Sequence, residues 1–489
     1  MNIPIRIHPE NNKIFQFRGK PLVLVCATEH YGAVINRPFN FEKYLTDAVE
    51  KKQTLTRLFV LFRELQSYCN PYSTCKPESP DYISPFKRTG PGLAQDGELK
   101  YDLDCWNEEF FARLHAFLSL ASEYGIIVEV TLLSNTYIPE LWALNPLNSK
   151  NNVNDVEEIE FMLYNTQRNP KLFDRQTSHV CKIVEETNKY DNIIYEICNE
   201  PCGWITGSDS YPRPSEINEW QKAIAQVIRD TELKLPNKHL ISGQEAFVGE
   251  PLEMYSDLSF ASLGIDIVNI HPVPNTTYHG RSFDFGTFMS KQLKLRAVRD
   301  FCLATRDERK PLNLDEDNVA SQYKDYDGWT IHRKRAWTTL LCGCHYDYID
   351  FSIINYCETG TAASQKHIRS WMKHLSEFIH SIDLVHSKPM PDLVKGKPLH
   401  TVEAVLAAGD RDYCIYLADG RELNEHEAGM AINGDITIDL PQGNYRVSCY
   451  SPITGLYSPA VKMCGGDNLT IVLPEFVHDI VIRIIKDCG

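Results

Sequence analysis

Up to residue 387, two kinds of hydrophobic pattern alternate along the chain. Short runs rich in β-branched and other apolar residues recur, and each run is followed by the 3.6-residue spacing of an amphipathic helix. This alternation predicts repeated βα units, which form a mostly parallel sheet. The predicted strands are Leu22–Ala27, Thr54–Leu61, Ile126–Leu133, Ile193–Cys198, His239–Ser242, Ile265–Ile270, Leu312–Leu314 and Tyr346–Ser352.

Helical spacing fills the intervals between these strands, although Leu252–Leu263 is short and poorly patterned. Eight strands alternating with helices are typical of a closed (β/α)8 barrel enlarged by loops. A doubly wound open sheet is the alternative, but it would usually carry a glycine-rich phosphate turn after an early strand, and the sequence has none. The predicted helices are Phe41–Lys52, Asn107–Tyr124, Gln176–Lys189, Glu216–Thr231, Phe285–Arg306, Trp329–Leu341 and Gln365–Ile382.

After Ser387 the helical spacing stops, and short alternating segments appear between turn signals such as Asn433-Gly434. This pattern predicts an antiparallel β-sandwich. We therefore expect a barrel over residues 1–387 and a sandwich over residues 388–489, with a structural role for the sandwich favoured over sugar binding. The predicted sandwich strands are Thr401–Ala407, Asp412–Ala418, Asp435–Leu440, Tyr445–Tyr450, Asn468–Leu473 and Asp479–Ile485.

Composition excludes several classes of protein. The 489 residues are 43% hydrophobic and 24% charged, as in a well-packed chain, and the formal net charge is −15. A nucleic-acid-binding protein would normally carry a clustered basic face, and a membrane span needs about 18 consecutive apolar residues, so we expect neither nucleic acid nor membrane as a partner. Fifteen cysteines, an odd number, are scattered along the chain, and the N-terminus lacks the apolar core of a secretory signal. We therefore expect reduced thiols and a cytoplasmic protein, and the sequence allows a homo-oligomer.

The fourth predicted strand ends in Asn199-Glu200-Pro201. A carboxylate that leaves a buried strand at the mouth of a barrel should have a raised pKa, which suits a general acid at neutral pH. Glu196 has the same strand parity and would lie deeper, where a salt-bridged core carboxylate is favoured over a catalytic one.

The seventh predicted strand ends in Asp315-Glu316-Asp317, and strand parity sends Glu316 to one face and its neighbours to the other. A surface acidic turn is the alternative interpretation. Strands four and seven lie across the barrel mouth, so Glu200 and Glu316 could flank one glycosidic bond. A separation of about 5–5.5 Å would make the second glutamate a nucleophile and the outcome retention. Arg57 on strand two could hold Glu316 ionised or pair with Glu196.

The run Asn192–Pro201 resembles the acid/base signature of clan A glycoside hydrolases, the retaining (β/α)8 enzymes that include family 5. The resemblance implies that Glu200 is the acid/base and that Asn199 binds the sugar 2-hydroxyl. The clan's nucleophile lies at the end of strand seven and maps to Glu316, 116 residues after Glu200. Family 5 also has an arginine on strand two, here Arg57, and a His or Tyr after strand six.

The His or Tyr that family 5 carries after strand six maps to His271 in this sequence. The segment Gly19–Arg63, with Glu29-His30-Tyr31-Gly32, resembles a bacterial subgroup of glycosidases that carry a C-terminal β-sandwich. The sequence departs from many clan members at the end of strand eight, where Phe351 or Tyr356 stands in place of a tryptophan sugar platform. Further candidates for lining the pocket, each with a structural role as the alternative, are His30, Tyr31, Asn135, Tyr137, Trp204, Gln244 and Glu245.

These residues predict a retaining β-glycosidase that acts on oligosaccharides or small glycosides through a covalent intermediate. It would need no cofactor and no metal. Two alternatives stay open. One is a glycan-binding barrel without catalysis, and the other is a metal-dependent barrel hydrolase that uses His30, His271 and the Asp315–Asp317 cluster.

Overall fold

The computed structural model describes residues 3–65, 70–203, 212–248, 258–262, 264–287 and 289–487. In the part of the barrel described, eight parallel strands form one sheet in the order β1-β8-β7-β6-β5-β4-β3-β2. The two end strands approach each other, and the backbone N–H of Thr54 donates to the carbonyl of Val25 at 3.1 Å, so the sheet is a nearly closed barrel. The strands are β1 Val25–Thr28, β2 Leu55–Phe59, β3 Ile127–Ser134, β4 Ile193–Asn199, β5 Leu240–Gly243, β6 Ile267–Ile270, β7 Leu312–Leu314 and β8 His345–Ile349.

Helices surround this sheet, and their ends follow signals in the sequence. The α4 helix begins at Pro170, six residues before the expected start, because Asn169 caps it by accepting from the backbone N–H of Leu172 at 2.9 Å. The α6 helix begins at Leu295 and not at the predicted Phe285. Gly286 and Lys294 have positive φ angles, which a right-handed helix does not allow. The helices are α1 Phe41–Glu50, α2 Glu108–Tyr124, α3 Pro139–Trp142, α4 Pro170–Thr187, α5 Pro214–Glu232, α6 Leu295–Ala304, α7 Tyr326–Leu341, α8 Ala362–Lys366 and α9 Ile368–Ile379.

The C-terminal region consists of two antiparallel sheets, as the alternating pattern predicts. One sheet has six strands in the order β9-β11-β12-β17-β14-β15, and the other has three in the order β10-β13-β16. Three of these strands (β9, β10 and β15) are absent from the sequence prediction. The strands are β9 Ser387–Pro389, β10 Val394–Gly396, β11 Thr401–Ala408, β12 Asp412–Asp419, β13 Asp435–Ile438, β14 Asn444–Tyr450, β15 Val461–Cys464, β16 Leu469–Val472 and β17 Asp479–Lys486.

The long loop after β2 contains a hairpin that the sequence prediction missed, Phe86–Leu93 paired with Leu99–Trp106. The poorly patterned segment Leu252–Leu263 lies mostly outside the described residues. Among the described helices, none has the length and apolar character that a membrane span requires. The twelve cysteines whose side chains the structure describes are free thiols.

Candidate active site

Glu200 and Glu316 converge on one imidazole at the carboxyl ends of the barrel strands. Glu200 follows β4 and Glu316 follows β7 by two residues. The Nδ1 atom of His271 lies 3.1 Å from Oε1 of Glu200 and 3.8 Å from Oε2 of Glu316. One oxygen of each carboxylate lies within 4.8 Å of one oxygen of the other. Both side chains are buried, with 9% and 7% of each residue exposed.

Backbone conformation aims these two glutamates into the mouth. Glu200 has a φ of 45° and Glu316 a φ of 51°, in the left-handed region that non-glycine residues rarely adopt. At Glu316 this conformation breaks the alternation of the strand. The parity prediction is therefore wrong for Asp315, whose carboxylate lies on the same side as Glu316 and within 3.2 Å of Nε2 of His271. Asp317 points away and pairs with Arg335 on α7.

Arg57 lies beneath the pair and is fully buried. Its Nη1 donates to Oε2 of Glu316 at 2.6 Å and to the hydroxyl of Tyr31 at 2.8 Å. Its Nη2 donates to Glu196 at 2.7 Å and to Oδ1 of Asn199 at 3.1 Å. The two roles considered for Arg57 are therefore combined in one side chain, which binds both the deeper carboxylate and the one at the mouth.

Carboxylates outnumber cations in this part of the barrel. Arg57 also lies 3.3 Å from Asp315 and 4.0 Å from Glu129. Burial, followed by repulsion from Asp315, raises the pKa of Glu129 to about 8, so this group holds its proton at neutral pH. Burial opposes ionisation of Asp315 as well, but Arg57 and His271 hold its pKa below the usual value.

The pKa directions of the two glutamates differ from the sequence expectation. Burial alone would raise the pKa of Glu200, but hydrogen bonds from His271 and Tyr137 hold it below its ordinary value. Burial raises the pKa of Glu316, and the nearby charges of His271 and Arg57 only partly offset it. Burial would lower the pKa of His271, yet Glu316, Asp315 and Glu200 together raise it well above the ordinary value. The three neighbouring carboxylates therefore favour the protonated form of His271 in the free site.

Tyr137 bridges the two residues at the end of β4. Its hydroxyl donates to Oε2 of Glu200 at 2.5 Å and accepts from Nδ2 of Asn199 at 2.8 Å. Asn135 shapes this turn, since its Oδ1 accepts from the backbone N–H of Tyr137 at 3.3 Å and its backbone N–H donates to the carbonyl of Asn199 at 3.1 Å. The structure therefore gives Tyr137 a direct contact with Glu200, whereas the described contacts of Asn135 hold the loop.

His30 and Tyr31 follow β1 on the opposite wall. Tyr31 stacks on Phe59, with ring centroids 4.3 Å apart, and holds Arg57 through its hydroxyl. His30 contacts Ser73 and packs against Phe351, with ring centroids 5.1 Å apart. Of the two candidate platforms after β8, Phe351 is thus a buried neighbour of this wall, while Tyr356 is 83% exposed.

The three remaining candidates, Glu245, Gln244 and Trp204, differ in their surroundings. Glu245 accepts hydrogen bonds from Asn218 and from the backbone N–H groups of Leu258 and Ser259, so it ties a loop to α5. Gln244 is fully buried, and neither polar atom of its side-chain amide has a hydrogen-bond partner among the described residues. Trp204 lies outside the described residues.

The structure does not assemble the metal set proposed from the sequence. Among the described side chains, His30 clusters with Glu64 and Cys75, while His271 clusters separately with Glu200 and Glu316 or with Glu196 and Asp315. Asp317 belongs to neither group because it is bound by Arg335. The cluster of His30, His271 and Asp315–Asp317 is therefore wrong as a single site.

A family described as a domain of unknown function, DUF6298, matches residues 76–178. No curated protein matches the chain. Among solved structures, a glycoside hydrolase family 5 protein from Bacteroides vulgatus superposes with a TM-score of 0.63 at 11% identity, over 99% of this chain and 93% of that one. A structure described as a glycoside hydrolase gives a TM-score of 0.60 at 12% identity, over 100% and 98% of the two chains. At this identity the similarity establishes the shared fold: a (β/α)8 barrel followed by antiparallel sheets.

Proposed function

We propose that the protein is a retaining β-glycosidase in which Glu316 is the nucleophile and Glu200 the acid/base. The observation that carries this proposal is the distance between the two carboxylates, which is below 4.8 Å for one oxygen of each. Retaining glycosidases place the two groups about 5–5.5 Å apart, whereas inverting enzymes leave about 6.5–9.5 Å for a water molecule. The shared fold of the family 5 structure supports the same assignment.

In the first step, Glu316 attacks the anomeric carbon while the leaving oxygen takes a proton from Glu200. His271 holds a proton 3.1 Å from Oε1 of Glu200 and can supply it as the leaving group departs. Arg57 fixes the attacking carboxylate through Nη1, and Asn199 is the candidate partner for the sugar 2-hydroxyl. Formation of the glycosyl ester removes the negative charge of Glu316.

Loss of that charge removes a like-charge neighbour and lowers the pKa of Glu200 further. Glu200 is then ionised and takes a proton from the attacking water in the second step, in which the water attacks the anomeric carbon, releases the carboxylate of Glu316 and gives net retention. The proton passes from Glu200 back to His271, which restores the free site. The chemistry uses side chains of this chain alone. The proposed substrates are oligosaccharides or small glycosides.

A panel of activated aryl glycosides, including furanosides, tests the proposal. We expect Glu200→Ala and Glu316→Ala each to lower activity by about 10²–10⁴-fold, and azide to restore turnover as the glycosyl azide. NMR of the first product should show the anomer of the substrate. The matched control is Glu232→Gln. Glu232 is a buried carboxylate that is not part of the proposed pair, and its Oε1 lies 2.7 Å from Nδ1 of His239. Retained activity in Glu316→Ala, or an inverted first product, would overturn the assignment.

A further inference from the structure

Beside the proposed active site, four polar side chains from two loops converge on one point. His30 comes from the loop after β1, and Glu64, Ser73 and Cys75 come from the loop after β2. Nδ1 of His30 lies 3.8 Å from Oε2 of Glu64, and Sγ of Cys75 lies 3.2 Å from the same oxygen. The hydroxyl of Ser73 contacts Nδ1 of His30 and lies 3.2 Å from Sγ of Cys75. All three ligand-type atoms lie within 4.8 Å of one another.

We propose that His30, Glu64 and Cys75 form a binding site for a borderline-soft divalent metal ion, Zn²⁺. Imidazole nitrogen, thiolate sulfur and carboxylate oxygen are the three ligand types that zinc takes in proteins. Bond lengths of about 2.0–2.3 Å in a tetrahedral site place neighbouring ligand atoms roughly 3.3–3.7 Å apart. The observed separations of 3.2 and 3.8 Å lie on either side of that range. Ser73 is the nearest group for the fourth position.

The surrounding contacts hold these ligands in place without a metal. The backbone N–H of Glu64 donates to the carbonyl of Cys75 at 2.8 Å, which fixes the two ligands of the second loop face to face. Glu29 ties the loops together, because it accepts from the backbone N–H of Gly32 at 2.8 Å and from the hydroxyl of Thr74. A site built from prearranged ligands loses less entropy when it binds an ion.

Metal binding at this cluster would be coupled to the release of protons. Burial lowers the pKa of His30 to about 3, so its imidazole is neutral and free to act as a ligand. Burial raises the pKa of Glu64 to about 7 and that of the Cys75 thiol well above its usual value. Zinc binding would displace the protons from these two groups, as it does wherever thiols and carboxylic acids become ligands.

This inference goes beyond the proposed hydrolase activity and does not depend on it. In the test, the full chain is stripped with a chelator, incubated with Zn²⁺, passed through a desalting column and analysed for metal. We expect one equivalent to be retained by the wild type and lost in Cys75→Ser and in His30→Ala. Cys414→Ser should retain the ion, since that buried thiol lies on β12 of the sandwich, near the carboxylate of Asp412.

Cobalt provides a second measurement on the wild-type chain itself. Co²⁺ in the same ligand set should give a thiolate-to-metal charge-transfer absorption, which requires the sulfur of Cys75 and does not depend on the folding of a variant. Failure of the wild type to retain either ion would overturn the site and leave a hydrogen-bonded cluster centred on Ser73. Retention of zinc and of the cobalt absorption by a folded Cys75→Ser variant would overturn it as well.

Discussion

Four residues of the candidate site adopt the left-handed backbone region. Tyr31, Tyr137, Glu200 and Glu316 have φ angles between 45° and 51°. Each such non-glycine residue costs on the order of 1–3 kcal/mol and persists only when its surroundings impose it. Here the surroundings are hydrogen bonds, for Tyr31 with Arg57 and for Tyr137 with Glu200 and Asn199. Backbone strain is concentrated where the side chains must be aimed.

Arg57 donates hydrogen bonds to Tyr31, Glu196, Asn199 and Glu316. Its loss should therefore destabilise the barrel. Replacement by Met leaves Glu196 buried without its cation, which costs about 3–5 kcal/mol when one partner of a buried pair is removed. Urea unfolding of Arg57→Met measures the loss. Arg37→Met is the control, because its pair with Glu109 is largely exposed and should contribute less than about 1 kcal/mol. Equal losses of unfolding free energy in the two variants would show that Arg57 stabilises the barrel no more than an exposed ion pair does.

His271 should set the acidic limb of the pH–activity profile. Its positive charge lowers the pKa of Glu316. Removing that charge in His271→Gln makes ionisation of Glu316 harder, so its pKa rises and the acidic limb of kcat/KM moves to higher pH. The control is His345→Gln at the start of β8, whose ring is kept neutral by burial and whose pKa is lowered to about 3. An acidic limb that stays in place in His271→Gln would contradict the proposed roles.

The barrel strands were predictable from sequence because each is a short apolar run between helices with clear periodicity. Leu312–Leu314 was predicted with its observed bounds, and Ile193–Cys198 extends by one residue in the structure. Glu200 and Glu316 could be proposed because both stand where such a strand ends. Their left-handed conformation could not be foreseen, since nothing in a glutamate side chain encodes a positive φ angle. The side on which Asp315 points was mispredicted for that reason.

Contacts between distant loops were also beyond the sequence. The hairpin from Phe86 to Trp106 contains Gly90-Pro91-Gly92, which reads as loop sequence when the pairing of its two strands is unknown. The cluster of His30, Glu64 and Cys75 joins residues from two loops, and their spacing in the chain matches no metal motif. Only the packing of the loops brings these residues together.

That packing of the two loops gives a prediction for Gly32. A Cβ atom on Gly32 would lie 1.7 Å from the carbonyl oxygen of Thr74, which is a rigid backbone atom. Gly32→Ala must therefore push the loops apart, and we expect it to destabilise the protein by about 1–3 kcal/mol or more. The control is Gly396→Ala, where a new Cβ meets Thr437 at an ordinary 3.4 Å. Thermal unfolding compares the two, and an unchanged midpoint in Gly32→Ala would contradict the interlocked arrangement.

At the scale of the whole molecule, barrel and sandwich share one apolar core. Trp337 on α7 stacks against Tyr416 of β12 with ring centroids 5.7 Å apart, and Phe378 on α9 packs against Tyr450 of β14 at 4.9 Å. We propose domain limits of 1–387 and 388–489, which lie within one residue of the start of β9 at Ser387. The shared core implies that the sandwich stabilises the barrel, because separating them would expose the apolar faces of α7 and α9 to water.

A buried ion pair also connects the barrel with the sandwich, and its removal tests whether the two regions unfold together. Nε of Arg333 on α7 donates to Oδ2 of Asp479 on β17 at 2.8 Å, and the hydroxyl of Tyr416 donates to the same oxygen at 2.9 Å. Asp479→Ala leaves Arg333 buried without a counter-charge, which should cost about 3–5 kcal/mol. All seven tryptophans lie before residue 388, so tryptophan fluorescence follows the barrel and, through Trp337, its interface with the sandwich.

We expect the urea midpoint measured by fluorescence to fall in Asp479→Ala, although the substitution is in the sandwich, and to coincide with the midpoint measured by far-UV circular dichroism. Asp410→Ala serves as the control, because Asp410 pairs with Lys486 at the surface and its loss should leave the midpoint unchanged. An unchanged fluorescence midpoint in Asp479→Ala, with an earlier loss of circular dichroism, would show instead that the barrel and the sandwich unfold as separate units.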